Sequence, residues 1–111
     1  MPYEYIPQCG DIILLNFEQE ISSKHMGRTP ALVISPKEYN GKTGMAIICF
    51  ISEHIKNYPF EVKITENPKI SGVILPDRIK TINWRPGNIE FLIKLSPEVL
   101  KKVIIKLKIL L

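Results

Sequence analysis

The residues of this chain best suited to chemistry fall in two polar stretches. Its two histidines, His25 and His54, sit one in each. A pair of imidazoles can serve as base and acid near neutral pH. Around His25 stand Lys24, Arg28 and Thr29; around His54 stand Ser52, Glu53 and Lys56. The planar fork of an arginine matches phosphate oxygens, and hydroxyls can donate to the same oxygens. Together these groups could move protons at a phosphate ester and stabilise charge on it. Histidines and lysines that are merely solvated on loops would give the same composition.

Such groups need elements to position them. Residues 11–17 are apolar and rich in β-branched side chains, which predicts a strand; 30–34 and 45–51 read the same way. The polar stretches 18–29 and 52–57 read as loops. Asn40-Gly41 and Gly44 mark a turn into the third strand. Residues 60–64 alternate like a strand with one wet face, and 66–71 read as a turn. Two further short strands, 72–75 and 78–84, flank a kink at Pro76-Asp77. A loop at 85–88 leads to a last strand at 89–95. Short strands separated by turns predict a small barrel.

The C-terminus then changes period. Ser96 suits an N-cap, Pro97 the first helical position, and Glu98 the positive end of the dipole. Leu100, Val103, Ile104, Leu107 and Leu111 recur at helical spacing, with Glu98, Lys102 and Lys106 on another face. This helix is expected to cover the barrel. Its alternative is a membrane-surface helix, because the polar face carries Lys101, Lys102, Lys106 and Lys108.

A length of 111 residues predicts one domain, 1–111, and 45% hydrophobic residues allow one modest core. The net charge of +4 suits a polyanionic partner without requiring one. Cys9 and Cys49 are too few for a disulfide framework and read as buried thiols. No Cys/His spacing suggests a metal site, and no cofactor is implied. Met1-Pro2-Tyr3-Glu4 lacks the regions of a signal peptide. No uncharged run approaches the roughly 18 apolar residues of a membrane span. A cytoplasmic protein is expected.

Three stretches carry a resemblance. Gly10-Asp11-Ile12-Ile13-Leu14-Leu15-Asn16-Phe17 is followed, after a polar loop, by Arg28-Thr29-Pro30-Ala31-Leu32-Val33-Ile34-Ser35-Pro36. Later come Tyr58-Pro59-Phe60-Glu61-Val62 and Gly72-Val73-Ile74-Leu75-Pro76-Asp77-Arg78-Ile79-Lys80-Thr81-Ile82-Asn83-Trp84. In order and over nearly the whole chain, this resembles the MazF/PemK family of toxin endoribonucleases. The resemblance implies a mainly β fold, an SH3-like barrel of five to seven short strands with a C-terminal helix, assembled as a homodimer. It implies a type II toxin that cuts single-stranded RNA at a short sequence without a metal, and an acidic antitoxin partner. In that chemistry the 2′-hydroxyl attacks the adjacent phosphate, leaving a cyclic phosphate and a 5′-hydroxyl.

The chain departs from the family at the positions that matter most. An ungapped reading puts Thr29 where the family has arginine, Ser52 where it has threonine, and Lys24 where it has an acid. Only Ser52 keeps its chemistry, and Arg28 lies one residue early. Arg28, Thr29 and Ser52 are therefore the catalytic candidates. Candidates for contact with RNA are Asn16, Lys24, His25, Glu53, His54, Lys56, Asp77, Arg78 and Lys80. Arg78 replaces the family's usual glutamine and could alter which bases are read. Trp84 could stack a base or fill the core. Two other functions stay open: a catalytically silent homologue that binds RNA or antitoxin, and a gyrase-poisoning toxin on the same barrel. The second acts through a C-terminal aromatic segment, whereas this chain ends Lys108-Ile109-Leu110-Leu111.

Overall fold

The computed structural model describes residues 5–16, 28–64, 67, 69–85 and 89–111. Six strands form one antiparallel sheet: β1 (Asp11–Asn16), β2 (Arg28–Val33), β3 (Met45–Ser52), β4 (Val62–Ile64), β5 (Gly72–Asn83) and β6 (Ile89–Lys94). Their spatial order is β4-β5-β3-β2-β1-β6. Two helices complete the described fold, α1 (Lys37–Thr43) and α2 (Pro97–Leu110). A mainly β fold closed by a C-terminal helix agrees with the sequence reading.

The central strands are apolar on both sides because both faces of the sheet are covered. Successive residues point to opposite faces. Ile12, Leu32, Cys49, Ile51 and Ile74 lie in one core with Val99, Val103 and Leu107 of α2. Ile13, Ala31, Val33 and Ile48 lie in the other with Trp84. Trp84 is thus core, and its indole N–H is shared between the carbonyls of Asn40 (3.1 Å) and Met45 (3.2 Å). Cys49 is fully buried and Cys9 partly so.

α2 begins where the sequence says it should. The Ser96 side chain accepts the Val99 N–H, Pro97 opens the helix, and Val99, Val103 and Leu107 are buried. Lys106 reaches from its flank to the Pro59 carbonyl (2.5 Å) and sits over the Phe60 ring. Among the described residues, no helix is long and apolar enough to cross a membrane.

Four expectations need correction. Arg28 and Thr29 belong to β2, not to the preceding loop, because Asn16 and Leu15 of β1 pair with them. β4 starts at Val62 rather than 60, since Glu61 N–H closes a turn onto the Tyr58 carbonyl (3.0 Å). Residues 72–75 and 78–84 are not two strands but one, β5. Cys49 pairs with Ile79 and Ile51 with Ile74, so Phe50 alone faces the four residues Leu75–Arg78. That wide bulge accepts Pro76 without the loss of a ladder hydrogen bond.

The fourth correction is the turn at Asn40-Gly41, which is helix α1. Asn40 is fully buried and acts as a polar hub. Its amide donates to the Pro7 carbonyl (2.7 Å) and the Ser35 carbonyl (3.1 Å), while its oxygen accepts from the Ser35 hydroxyl (2.5 Å). Gly44, in the left-handed region at φ 76°, caps the helix by donating to the Asn40 carbonyl.

Candidate functional site

The end of β3 and the bulge of β5 frame a cleft of about 310 Å³. Ser52, His54, Lys56 and Tyr58 line it from β3 and the segment that follows. Glu61 closes one side, and Leu75, Asp77 and Arg78 come from the bulge. Gly72 allows this convergence. It holds φ 125°, and a Cβ there would lie 2.2 Å from the Ser52 carbonyl oxygen, so no larger residue fits.

Ser52 Oγ accepts the backbone N–H of His54 at 3.0 Å. That bond fixes the oxygen and leaves the hydroxyl proton able to donate outward. Glu61 accepts the backbone N–H of Lys56 at 2.9 Å, which shapes the far side of the cleft. Tyr58 donates its hydroxyl to Asp77 at 2.7 Å. The same bond, and the charge of Asp77, raise the Tyr58 pKa. Tyr58 and Phe60 form a tilted aromatic pair with centroids 6.4 Å apart. Below the bulge, burial and the nearby Asp77 push the Cys49 thiol up to about 12, which keeps it neutral and inert at neutral pH.

Arg28 is placed differently. It is bound to Glu90 of β6, and both side chains are partly exposed. In β2 it pairs with Asn16 while Thr29 pairs with Leu15, so Arg28 and Thr29 point to opposite faces. Neither lines the cleft that contains Ser52. Asn16 is exposed at the end of β1, Glu53 is exposed just past β3, and Lys80 is exposed on β5. Lys24 and His25 lie outside the described residues.

The structure thus gathers Ser52, His54, Lys56, Asp77 and Arg78, all anticipated as site residues, in one cleft. It sets Arg28, Thr29, Asn16, Glu53 and Lys80 outside it. Sequence reasoning missed Tyr58 and Glu61 as lining residues and Glu90 as the partner of Arg28. Tyr58 and Glu61 stand in a stretch that carries the family resemblance, and reading that stretch for chemistry would have found them. Nothing local to Glu90 announces its role.

Comparison with known proteins follows the same lines. Residues 8–111 match the model of the PemK-like, MazF-like toxin of type II toxin–antitoxin systems. The endoribonuclease toxin MazF of Escherichia coli strain K12 is 36% identical over 110 residues, covering 99% of this chain and 98% of the relative. MazF in a MazE–MazF crystal structure from Deinococcus radiodurans superposes with a TM-score of 0.84 at 38% identity, covering 96% of each chain. A mycobacterial endoribonuclease in complex with its cognate antitoxin shares the fold at 17% identity, with a TM-score of 0.77 and coverage of 93% and 92%.

Proposed function

Because the chain belongs to the PemK-like, MazF-like toxin family of type II toxin–antitoxin systems, we propose that it is an endoribonuclease toxin cutting single-stranded RNA at the Ser52 cleft. The observation that carries this reading is the convergence of Ser52 and His54 beside a cationic arginine in a chain of full-length family likeness.

The reaction is attack by the ribose 2′-hydroxyl on the adjacent phosphate. The 2′-oxygen forms a bond to phosphorus, the 5′-oxygen leaves, and the products are a 2′,3′-cyclic phosphate and a 5′-hydroxyl. Protein groups must take the 2′-proton, give one to the leaving oxygen, and stabilise charge on the phosphate oxygens. Proton transfer falls to His54 in this reading, which its presence in the same cleft as Ser52 supports. The Ser52 hydroxyl, its oxygen already bonded by the His54 N–H, donates to a phosphate oxygen. Lys56 supplies positive charge within the cleft, and Arg28, outside it, takes a backbone phosphate of the same RNA after exchanging Glu90 for it. These side chains provide the acid–base and electrostatic groups without calling on a metal.

The mildly basic chain suits an acidic antitoxin whose extended segment competes with RNA for the groove. A homodimer and a cytoplasmic setting complete the reading. A second reading, a silent homologue that binds RNA or antitoxin, draws support from Thr29 at the expected arginine position and from the engagement of Arg28 by Glu90.

The test is incubation of the purified protein with long single-stranded RNA in a metal chelator, with end mapping, beside Arg28→Ala, Ser52→Ala and His54→Ala. Specific cuts with cyclic phosphate and 5′-hydroxyl ends, lost in the variants, support the enzyme. RNA binding without cuts on two unrelated RNAs supports the silent homologue.

A further inference from the structure

Resting on the reading that this cleft receives RNA, we propose that Tyr58, Asp77 and Arg78 form a guanine-reading subsite that fixes one position of the recognised sequence.

Charge is the first argument. Lys56, Arg78, Glu61 and Asp77 all line the cleft, so it carries two cations and two carboxylates. At the bulge end, where Asp77 stands beside Arg78, the paired charges suit a group that both donates and accepts hydrogen bonds better than a bare anion. A neutral base edge is such a group. The cleft volume of about 310 Å³ lies at the lower end of ligand-sized pockets.

The second argument is placement. Asp77 and Arg78 are neighbours, and in a regular strand they would point to opposite faces. They line one cleft because they sit in the bulge where Phe50 alone faces Leu75–Arg78. Tyr58 orients the carboxylate by donating to Asp77 Oδ2, and it stays about half-exposed at the cleft, where an aromatic ring can stack a base. Arg78 lines the same cleft as Tyr58 and Asp77. A carboxylate has about four lone-pair sites, so the Tyr58 bond leaves Asp77 able to accept from a ligand.

The third argument is the match of edges. Guanine carries two adjacent donors, N1–H and the N2 amino group, beside two adjacent acceptors, O6 and N7. The carboxylate can take the donors and the guanidinium the acceptors. Arginine on guanine O6 and N7 is the commonest specific base contact, worth about 1–3 kcal/mol against the wrong base. Cytosine lacks the donor pair, and adenine and uracil lack both pairs.

The experiment uses uncleavable 2′-O-methyl oligouridines with one central guanine, adenine or cytosine, and reads binding by fluorescence anisotropy. We expect the guanine oligomer to bind about 5–150-fold more tightly than all-uridine. Replacing guanine by 7-deazaguanine, which lacks the N7 acceptor, should remove much of that gain. Arg78→Gln should abolish the guanine preference, read as the ratio of guanine-oligomer to all-uridine affinity in the same variant, and shift it toward adenine, whose N6 and N7 suit an amide. Inosine, which lacks the N2 amino group, should lose affinity in the wild type but not in Asp77→Asn. Binding of all oligomers without a guanine preference, or a preference untouched in Arg78→Gln, overturns the subsite and leaves the nuclease standing. No binding to any oligomer, with no cleavage of long RNA, overturns both.

Discussion

Arg28 of β2 and Glu90 of β6 are joined in an ion pair that spans the intervening strand β1. The arginine nearest the expected catalytic position is therefore held by a carboxylate in the absence of substrate. Both side chains are partly exposed, and such pairs contribute about 1 kcal/mol or less. A phosphodiester can displace a partner that weak. Glu90→Gln should then leave the thermal midpoint nearly unchanged and lower KM for RNA by up to about 5-fold, the equivalent of that ~1 kcal/mol. Arg28→Ala should cost about 10²–10³ in kcat if this guanidinium serves the phosphate. Steady-state cleavage of a fluorogenic RNA measures both. A rise in KM in Glu90→Gln would mean that the carboxylate orients Arg28 instead of competing for it.

Ser52 is expected to matter to the rate and little to the fold. Among the described residues its hydroxyl oxygen accepts the His54 N–H, at the half-buried end of β3. Ser52→Ala should reduce kcat by about 10²-fold or more through loss of a donor to the phosphate, with a stability change of about 0.5 kcal/mol or less. Ser52→Thr keeps the hydroxyl and should keep most of the rate. Equal loss in both variants would point to packing rather than to the hydroxyl.

Gly72 should be intolerant of any side chain. An added Cβ meets the Ser52 carbonyl at 2.2 Å while the backbone holds φ 125°. Gly72→Ala is expected to cost about 2–3 kcal/mol or more in urea unfolding, from backbone strain and overpacking together. It should also lower cleavage by displacing Ser52. A fully active, fully stable Gly72→Ala would show that β5 can withdraw from β3 at no cost.

The parts of this fold that were legible in the sequence are those set by local pattern. Apolar, β-branched runs announced β1, β2 and β3, and Ser96-Pro97-Glu98 announced the start of α2. The parts that were not legible depend on distant partners. Asn40-Gly41 looks like a hairpin turn until Pro7 and Ser35 are seen to bind the Asn40 side chain. Gly44 was the available clue, as a left-handed cap one residue after Thr43. Pro76-Asp77 looks like the gap between two strands, because a bulge that keeps β5 continuous is defined only by its pairing with β3. The site divided the same way. Ser52 was singled out by the family resemblance and His54 by its residue type, and both line the cleft, but the Glu90 that binds Arg28 lies 62 residues away, beyond any local signal.

The two most strongly shifted groups, Tyr5 and Cys49, should make the fold sensitive to alkali. Desolvation, first, and its bond to Asp11 raise the Tyr5 pKa well above its ordinary value. Burial, first, and the charge of Asp77 raise Cys49 from 9.0 to about 12. Both groups are neutral when protonated, and the folded state favours that form. Below the unfolded-state pKa values, about 8.5 for cysteine and 10 for tyrosine, their protonation does not alter stability with pH. Above them the unfolded chain releases protons that the folded chain retains, so stability falls as pH rises toward the folded values. Unfolding free energy should therefore be flat with respect to these groups up to about pH 8, then decline, with cysteine acting from about pH 8.5 and tyrosine from about pH 10. Cys49→Ala should remove the earlier part of the decline and Tyr5→Phe the later part, each beginning from a less stable protein. Urea titrations at successive pH values measure this directly. A decline of unchanged shape in both variants would assign the alkaline loss to other groups.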